Sequence, residues 1–408
     1  MVQKISMIDS QVIHTLRFPL VCLVVVIHSF SFMEGWELSQ MDLSHLTGAD
    51  VYSLFCISLS MTLAHIAVPT FFVISGYLFF MDLRQWDWQV YGAKLNKRIF
   101  TLFIPYLVWN TLYVLDVLSK KLGGGILKGK PIQGIVDWWN DNNGILMYYH
   151  ADDFVERISW SGGEGMFSFP ILVPMWYIRD LMVLCLLSPV VYSLLNHRMG
   201  IYRYVVMALI AAVYVTAIYP YLPGISPGPV FFFCSGALLS LKGASLVKTV
   251  SRLRYLTTIV FFSLWIPLVP MAGYRTVEGN YLYPFFIMAG VISFIGWIGW
   301  LTNREEAKVN GKWTNFVLVF FRRHEADVFF IFAAHTLLLP YVESVLLKIA
   351  VIVTGAATAK TVAFALKFPL LLIVCYLLKI AVTISVCILV SQYINQHLPK
   401  IRRVMTGR

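Results

Sequence analysis

The chain has 408 residues, 59% of them hydrophobic and 13% charged, with a mean hydropathy of +0.73. A soluble domain carries about 25% charged residues, so this chain cannot cover a water-facing surface; a string of soluble domains is excluded in favour of one integral-membrane domain over 1–408. The net charge of +11 sits in short Lys/Arg clusters between apolar runs, the pattern of cytoplasmic loops in membrane proteins and not of a nucleic-acid surface.

A helix that crosses a bilayer needs about 20 apolar residues. Such runs occur at roughly 12–33, 58–81, 99–118, 171–196, 203–222, 225–241, 255–274, 281–301, 327–350 and 362–393. They predict an all-α, polytopic membrane helix bundle of about ten transmembrane helices. The first run contains Arg17 and lacks a small-residue cleavage site, so it reads as a retained helix. Basic residues concentrate at 94–98, 242–254, 304–323 and 400–408. That alternation places both termini in the cytoplasm. The segment 119–170 then becomes an extracytoplasmic loop insertion. It opens with Gly123, Gly124 and Gly125 and is rich in Trp, Tyr, Asn and Asp, among them Trp138, Trp139, Asn142, Tyr149 and Trp160. Those residues suit either sugar contacts or an interfacial aromatic belt. The six cysteines form no CxxC or metal-type spacing, and no metal is expected.

Ionisable groups inside membrane spans are costly and are functional candidates by default. In the first span Arg17 and His28 are eleven residues apart, on one face and separated by about 16 Å along the axis. Arg suits phosphate or carboxylate, and a neutral His suits general-base work. The rival reading has Arg17 snorkelling to headgroups and His28 bonding a neighbouring helix. In Pro69 to Phe79, Ser75 and Gly76 read as a site of close helix approach. Lys94, Lys97 and Arg98, ahead of Pro105-Tyr106, form either a phosphate clasp or a topology anchor. Trp176-Tyr177-Ile178-Arg179-Asp180 opens the fourth span. Adjacent Arg179 and Asp180 are expected to face different ways and to need separate partners. His335, late in the chain, reads as an interhelical hydrogen-bonding residue. A secondary transporter or flippase is the competing class, since it too needs intramembrane Arg, His and Asp.

The ordered set Arg17-x10-His28, Pro69-x-Phe71-Phe72-x-x-Ser75-Gly76-Tyr77-Leu78-Phe79, the cluster before Pro105-Tyr106, Trp176-Tyr177-x-Arg179-Asp180 and His335 resembles the acyltransferase-3 family of bacterial integral-membrane O-acyltransferases. The resemblance covers nearly the whole chain. It implies ten helices in the cytoplasmic membrane and a cytoplasmic acyl-CoA donor, most often acetyl-CoA. The implied acceptor is a hydroxyl on a cell-surface or exported glycan. Arg17 and His28 match the family's Arg-x10-His motif, with His28 as the essential catalytic residue. The family's Arg-x-x-Arg motif is not reproduced, because Thr101 stands three residues after Arg98; Lys94 or Lys97 would take the missing place in donor binding. Trp176, Arg179, Asp180 and His335 are candidates for contacting the acceptor or the oxyanion.

Overall fold

The computed structural model describes residues 6–30, 33–81, 83, 85–127, 132–158, 164–196, 200–218, 222, 224–308 and 311–407. Trp160 lies outside them. The elements in chain order are helices α1 (Met7–Ile27), α2 (Gly48–Cys56), α3 (Ala67–Phe80), α4 (Trp88–Arg98), α5 (Ile104–Leu127) and α6 (Gln133–Asp141), then strands β1 (Asp152–Ile158) and β2 (Glu164–Phe169). There follow α7 (Trp176–Leu186), α8 (Ser188–Leu195), α9 (Gly200–Thr216), α10 (Pro227–Leu241), α11 (Leu246–Ser251), α12 (Arg254–Leu268), α13 (Val277–Glu306), α14 (Lys312–Arg323), α15 (Val328–Thr354), α16 (Val362–Lys367), α17 (Pro369–His397) and α18 (Pro399–Thr406). The antiparallel β1–β2 hairpin is the one sheet among the described residues.

The chain is thus all-α, as its composition predicts, and each predicted apolar run contains a helix. Six stretches are long and apolar enough to cross a membrane: Met7–Ile27, Gly48–Phe80, Trp88–Ile126, Val277–Glu306, Lys312–Thr354 and Pro369–His397. The expected span 171–196 is instead a pair, Val173–Leu186 and Ser188–Leu195, bent by 61°. Pro189 in the first turn of α8 has no N–H to continue the ladder of α7. The remaining three runs are shorter apolar helices, α9, α10 and α12.

Two compact units emerge. The first comprises Met1–Ile5, Phe72–Leu246 and Tyr393–Arg408, and the second Ser6–Phe71 and Val247–Gln392. In the first, α5 passes straight through Gly123 to Gly125, which the sequence reading placed at the start of a loop. Each glycine costs about 1 kcal/mol relative to alanine, but the helix is already nucleated and only has to propagate. Buried Asn110 donates to the Tyr106 carbonyl at 2.8 Å and accepts from Leu172 N at 3.1 Å, tying the segment before α7 onto α5. Helix α18 returns to the same helix, where Trp109 Nε1 donates to the Met405 carbonyl at 2.8 Å.

The close helix approach expected at Gly76 is present. A Cβ on Gly76 would collide with the Phe233 carbonyl, and one on Gly236 with the Val73 carbonyl. Helices α3 and α10 therefore meet backbone to backbone, the geometry that small residues permit. Gly76→Ala is expected to cost about 1–3 kcal/mol through overpacking. A lowered melting temperature in detergent would register that loss; an unchanged one would show that the helices part without cost.

In the second unit α1 packs against α13, α14 and α15. Ser6 caps its start by accepting from Asp9 N at 3.0 Å. Asp9, 1% exposed, accepts from Val247 N at 2.9 Å. The α12–α13 hairpin is tight: a Cβ on Gly290 would lie 2.6 Å from both Phe261 and Ile66 side chains.

Candidate active site

Sequence periodicity carries the first span to residue 33, but α1 ends at Ile27 and His28 is its C-cap. The reason lies in the last-turn carbonyls, which a helix leaves unpaired. Val24 O accepts from His28 N at 3.4 Å. Val25 O accepts from Ser29 Oγ at 2.6 Å. Val26 O accepts from Ser29 N at 3.1 Å and from Ser60 Oγ at 2.5 Å. Ser60 Oγ is also 2.7 Å from Tyr376 OH. With these partners the helix stops without leaving orphaned acceptors. His28 consequently sits at the negative end of the α1 dipole, which stabilises an imidazolium by roughly 0.3–2 kcal/mol. A base that gains a proton during reaction is well placed there.

A second histidine lies beside it. The His28 and His335 ring centroids are 5.1 Å apart, tilted by 46°. His335, on α15, is fully buried. Its Nδ1 faces the Ile331 carbonyl of its own helix, not a neighbouring one, at 3.1 Å. His65, half-buried, stands in the turn that precedes α3. Its ring meets Tyr274 at 5.5 Å and Tyr283 at 5.9 Å. The backbone explains its placement. Between α2 and α3 the chain forms a π-helix, Ile57–Thr62, and then a 3-10 turn, Leu63–Ile66. Such irregularities re-aim side chains and free carbonyls, and here Trp265 Nε1 takes up Ser58 O at 3.2 Å.

Arg17 occupies the middle of α1, away from His28. Its guanidinium hydrogen-bonds Glu325 Oε1, and His14 Nδ1 lies 2.7 Å from Oε2 of the same carboxylate. Nearby, Arg322 grips Glu305 in bidentate fashion at 2.8 and 2.5 Å. Arg17 thus already holds a carboxylate, one of the two anion types its sequence position suggested.

The remaining candidates belong to the first unit. Lys94 Nζ donates to the carbonyls of Phe79 at 2.5 Å and Met81 at 3.0 Å, closing the end of α3. Lys97 is exposed. Arg98 is half-buried at the end of α4. Ser75 Oγ is 3.1 Å from Tyr177 OH, and the Trp176 ring lies 6.1 Å from that of Phe72, tilted by 36°. The expectation that Arg179 and Asp180 face apart is overturned. Arg179 Nε donates to Asp180 Oδ1 at 2.9 Å, with a second contact from Nη2 at 2.8 Å. The long guanidinium stem folds back where the short carboxylate can meet it. Arg179 further donates to Tyr149 O at 2.7 Å, Ser168 Oγ at 3.0 Å and Ser168 O at 2.9 Å, so it pins the segment that precedes α7.

The sequence reading passed over His65, Glu325 and the pair Lys379–Glu343, whose charges lie 3.5 Å apart with Lys379 6% exposed. Each is an ionisable residue in or beside an apolar run, a signal available from the sequence. Among the described residues no three His, Cys, Asp or Glu side chains are placed to share a metal ion.

Comparison with known proteins assigns the chain to a family. Over 197 residues the chain is 27% identical to the succinoglycan biosynthesis protein ExoH of Rhizobium meliloti (strain 1021). That alignment takes in 47% of this chain and 45% of that protein, so the chain spans less than half the length of this curated relative. No solved structure matches. The acyltransferase-3 family, described as an acyltransferase domain, matches residues 11–390, from the first helix to the last span. With that coverage the chain belongs to the acyltransferase-3 family, and its long apolar helices make it a multi-pass membrane protein.

Proposed function

We propose that the chain is an O-acyltransferase of the bacterial cytoplasmic membrane that moves an acyl group, in the first instance acetyl, from cytoplasmic acyl-CoA to a hydroxyl of a cell-surface or exported glycan. The observation that carries this reading is His28, held at the C-terminal end of α1 beside His335. His28 takes the proton of the acceptor hydroxyl as its oxygen attacks the thioester carbonyl. The imidazolium then returns that proton to the departing thiolate. The polysaccharide acceptor is supported by the name of the relative, a succinoglycan biosynthesis protein.

An open pocket of about 700 Å³ suits such an acceptor. Glu37, Ser39, Arg275, Thr276 and Glu278 line its polar side, and carboxylates, a guanidinium and hydroxyls are the groups that bind sugar hydroxyls. Tyr274, the residue before Arg275, has its ring 5.5 Å from that of His65. For the donor, Arg98 and Lys97 are assigned to the phosphates and Lys94 to holding the end of α3 in place. Both termini lie in the cytoplasm, with 119–170 outside, following the Lys/Arg distribution.

Inverted membrane vesicles carrying the chain and supplied with [14C]acetyl-CoA should place label in polymer as alkali-labile esters. Vesicles that export an unmodified glycan and fix no label would overturn the proposal. In the same assay Arg98→Ala should raise the apparent KM for acetyl-CoA, most strongly at low salt where phosphate contacts are least screened. An unchanged KM would reduce the cluster to a topology anchor.

A further inference from the structure

A core histidine at rest has both ring nitrogens occupied, because a buried polar atom without a partner costs free energy. His335 departs from that rule. It is 0% exposed on α15. Its Nδ1 faces the Ile331 carbonyl at 3.1 Å, and a carbonyl only accepts. Nδ1 therefore carries the proton and Nε2 presents a lone pair. No described group donates to that Nε2. The ring beside it is His28, 5.1 Å away between centroids. That separation accommodates one hydrogen bond of about 2.9 Å plus two ring radii. The other aromatic neighbour, Phe332 at 6.5 Å, offers no donor.

We propose that His335 is the positioning residue of His28: its Nε2 accepts a hydrogen bond from a ring N–H of His28, turning the other His28 nitrogen towards the acceptor hydroxyl. The inference rests on the reading of His28 as the general base. Protons balance without a second titrating group. The acceptor O–H breaks and its proton joins the lone-pair nitrogen of His28. The second N–H of the resulting imidazolium stays with His28 and donates to His335 Nε2. His335 keeps its own proton on the Ile331 carbonyl throughout. When the thiolate leaves, His28 passes the gained proton to sulfur and both imidazoles are again neutral.

A carboxylate is the commoner orienting partner for a catalytic histidine. Inside a membrane span a lone carboxylate carries a large desolvation penalty. A neutral imidazole whose tautomer is set by its own helix supplies the same lone pair with no net charge. The developing positive charge on His28 is met instead by the carbonyl end of α1.

Two measurements on the full-length protein test this. Histidine ring nitrogens are labelled with 15N in detergent micelles, and His335→Gln identifies the His335 signals. Nδ1 should be of the protonated type and Nε2 of the lone-pair type, and His28→Ala should shift the Nε2 signal. A protonated Nε2, or an Nε2 signal indifferent to His28→Ala, overturns the proposal. In the vesicle assay His335→Leu should lower kcat by about 10²-fold or more with the acetyl-CoA KM nearly unchanged. His335→Gln, which restores an acceptor near the Nε2 position, should recover at least a tenth of the wild-type rate. A purely structural histidine would lower folded protein and kcat together and gain nothing from Gln. Full activity in His28→Ala would remove the general-base reading itself. Loss of activity in His28→Ala with a wild-type rate in His335→Leu would overturn this proposal alone.

Discussion

Replacing His28 with alanine is expected to lower acyl transfer by about 10²–10⁴-fold, the usual contribution of a positioned general base, while leaving the fold in place. The fold should survive because His28 is not a keystone of its helix end. The α1 carbonyls are met by Ser29 Oγ, Ser29 N and Ser60 Oγ and by the His28 backbone N–H, all of which alanine retains. Detergent melting curves and acetyl-CoA binding should therefore match the wild type. The vesicle assay supplies the other half of the result. A folded His28→Ala protein that transfers label at the wild-type rate would end the proposed mechanism. Loss of stability and activity in parallel would assign His28 to packing instead.

Arg179→Leu should cost about 3–5 kcal/mol, because it strands the carboxylate of Asp180 without its buried partner. Arg179 and Asp180 are 2% and 0% exposed, so solvent cannot take over the charge. The substitution also deletes the donors that hold the carbonyls of Tyr149 and Ser168. The double variant Arg179→Leu with Asp180→Leu removes both charges at once and should regain much of the loss, as apolar replacements of buried pairs commonly do. Thermal melts of the two variants in one detergent distinguish the cases. Equal melting temperatures for Arg179→Leu and the wild type would show that the pair contributes nothing. If the single variant stays folded yet loses transfer selectively, Arg179 serves the reaction as well as the fold.

Much of the architecture was readable before any coordinates. The apolar runs near 12–33, 281–301 and 362–393 appear as α1, α13 and α17 because a bilayer admits little else over that length. The misjudged boundaries share a cause. Hydropathy continues past Ile27, but the helix stops where side-chain donors from outside its own turn cap it. Conversely, Gly123 to Gly125 suggested a loop, yet propagation of α5 outweighed their propensity. Pro189 could have announced the bend between α7 and α8, since its missing N–H is a local fact.

By itself, then, the sequence determined the solvent this protein lives in, the succession of its spans and the presence of costly groups such as Arg17, His28, Arg179 and His335 inside them. Those properties follow from composition and spacing, which need no knowledge of neighbours. The tertiary structure alone decided who those groups meet: Arg17 with Glu325, Arg179 with Asp180, and His28 with His335. Partners of this kind come from helices remote in the chain, or from a long side chain folding back on its own helix. Their meeting depends on rotation and register between packed helices. Periodicity along one strand of sequence carries no information about any of these.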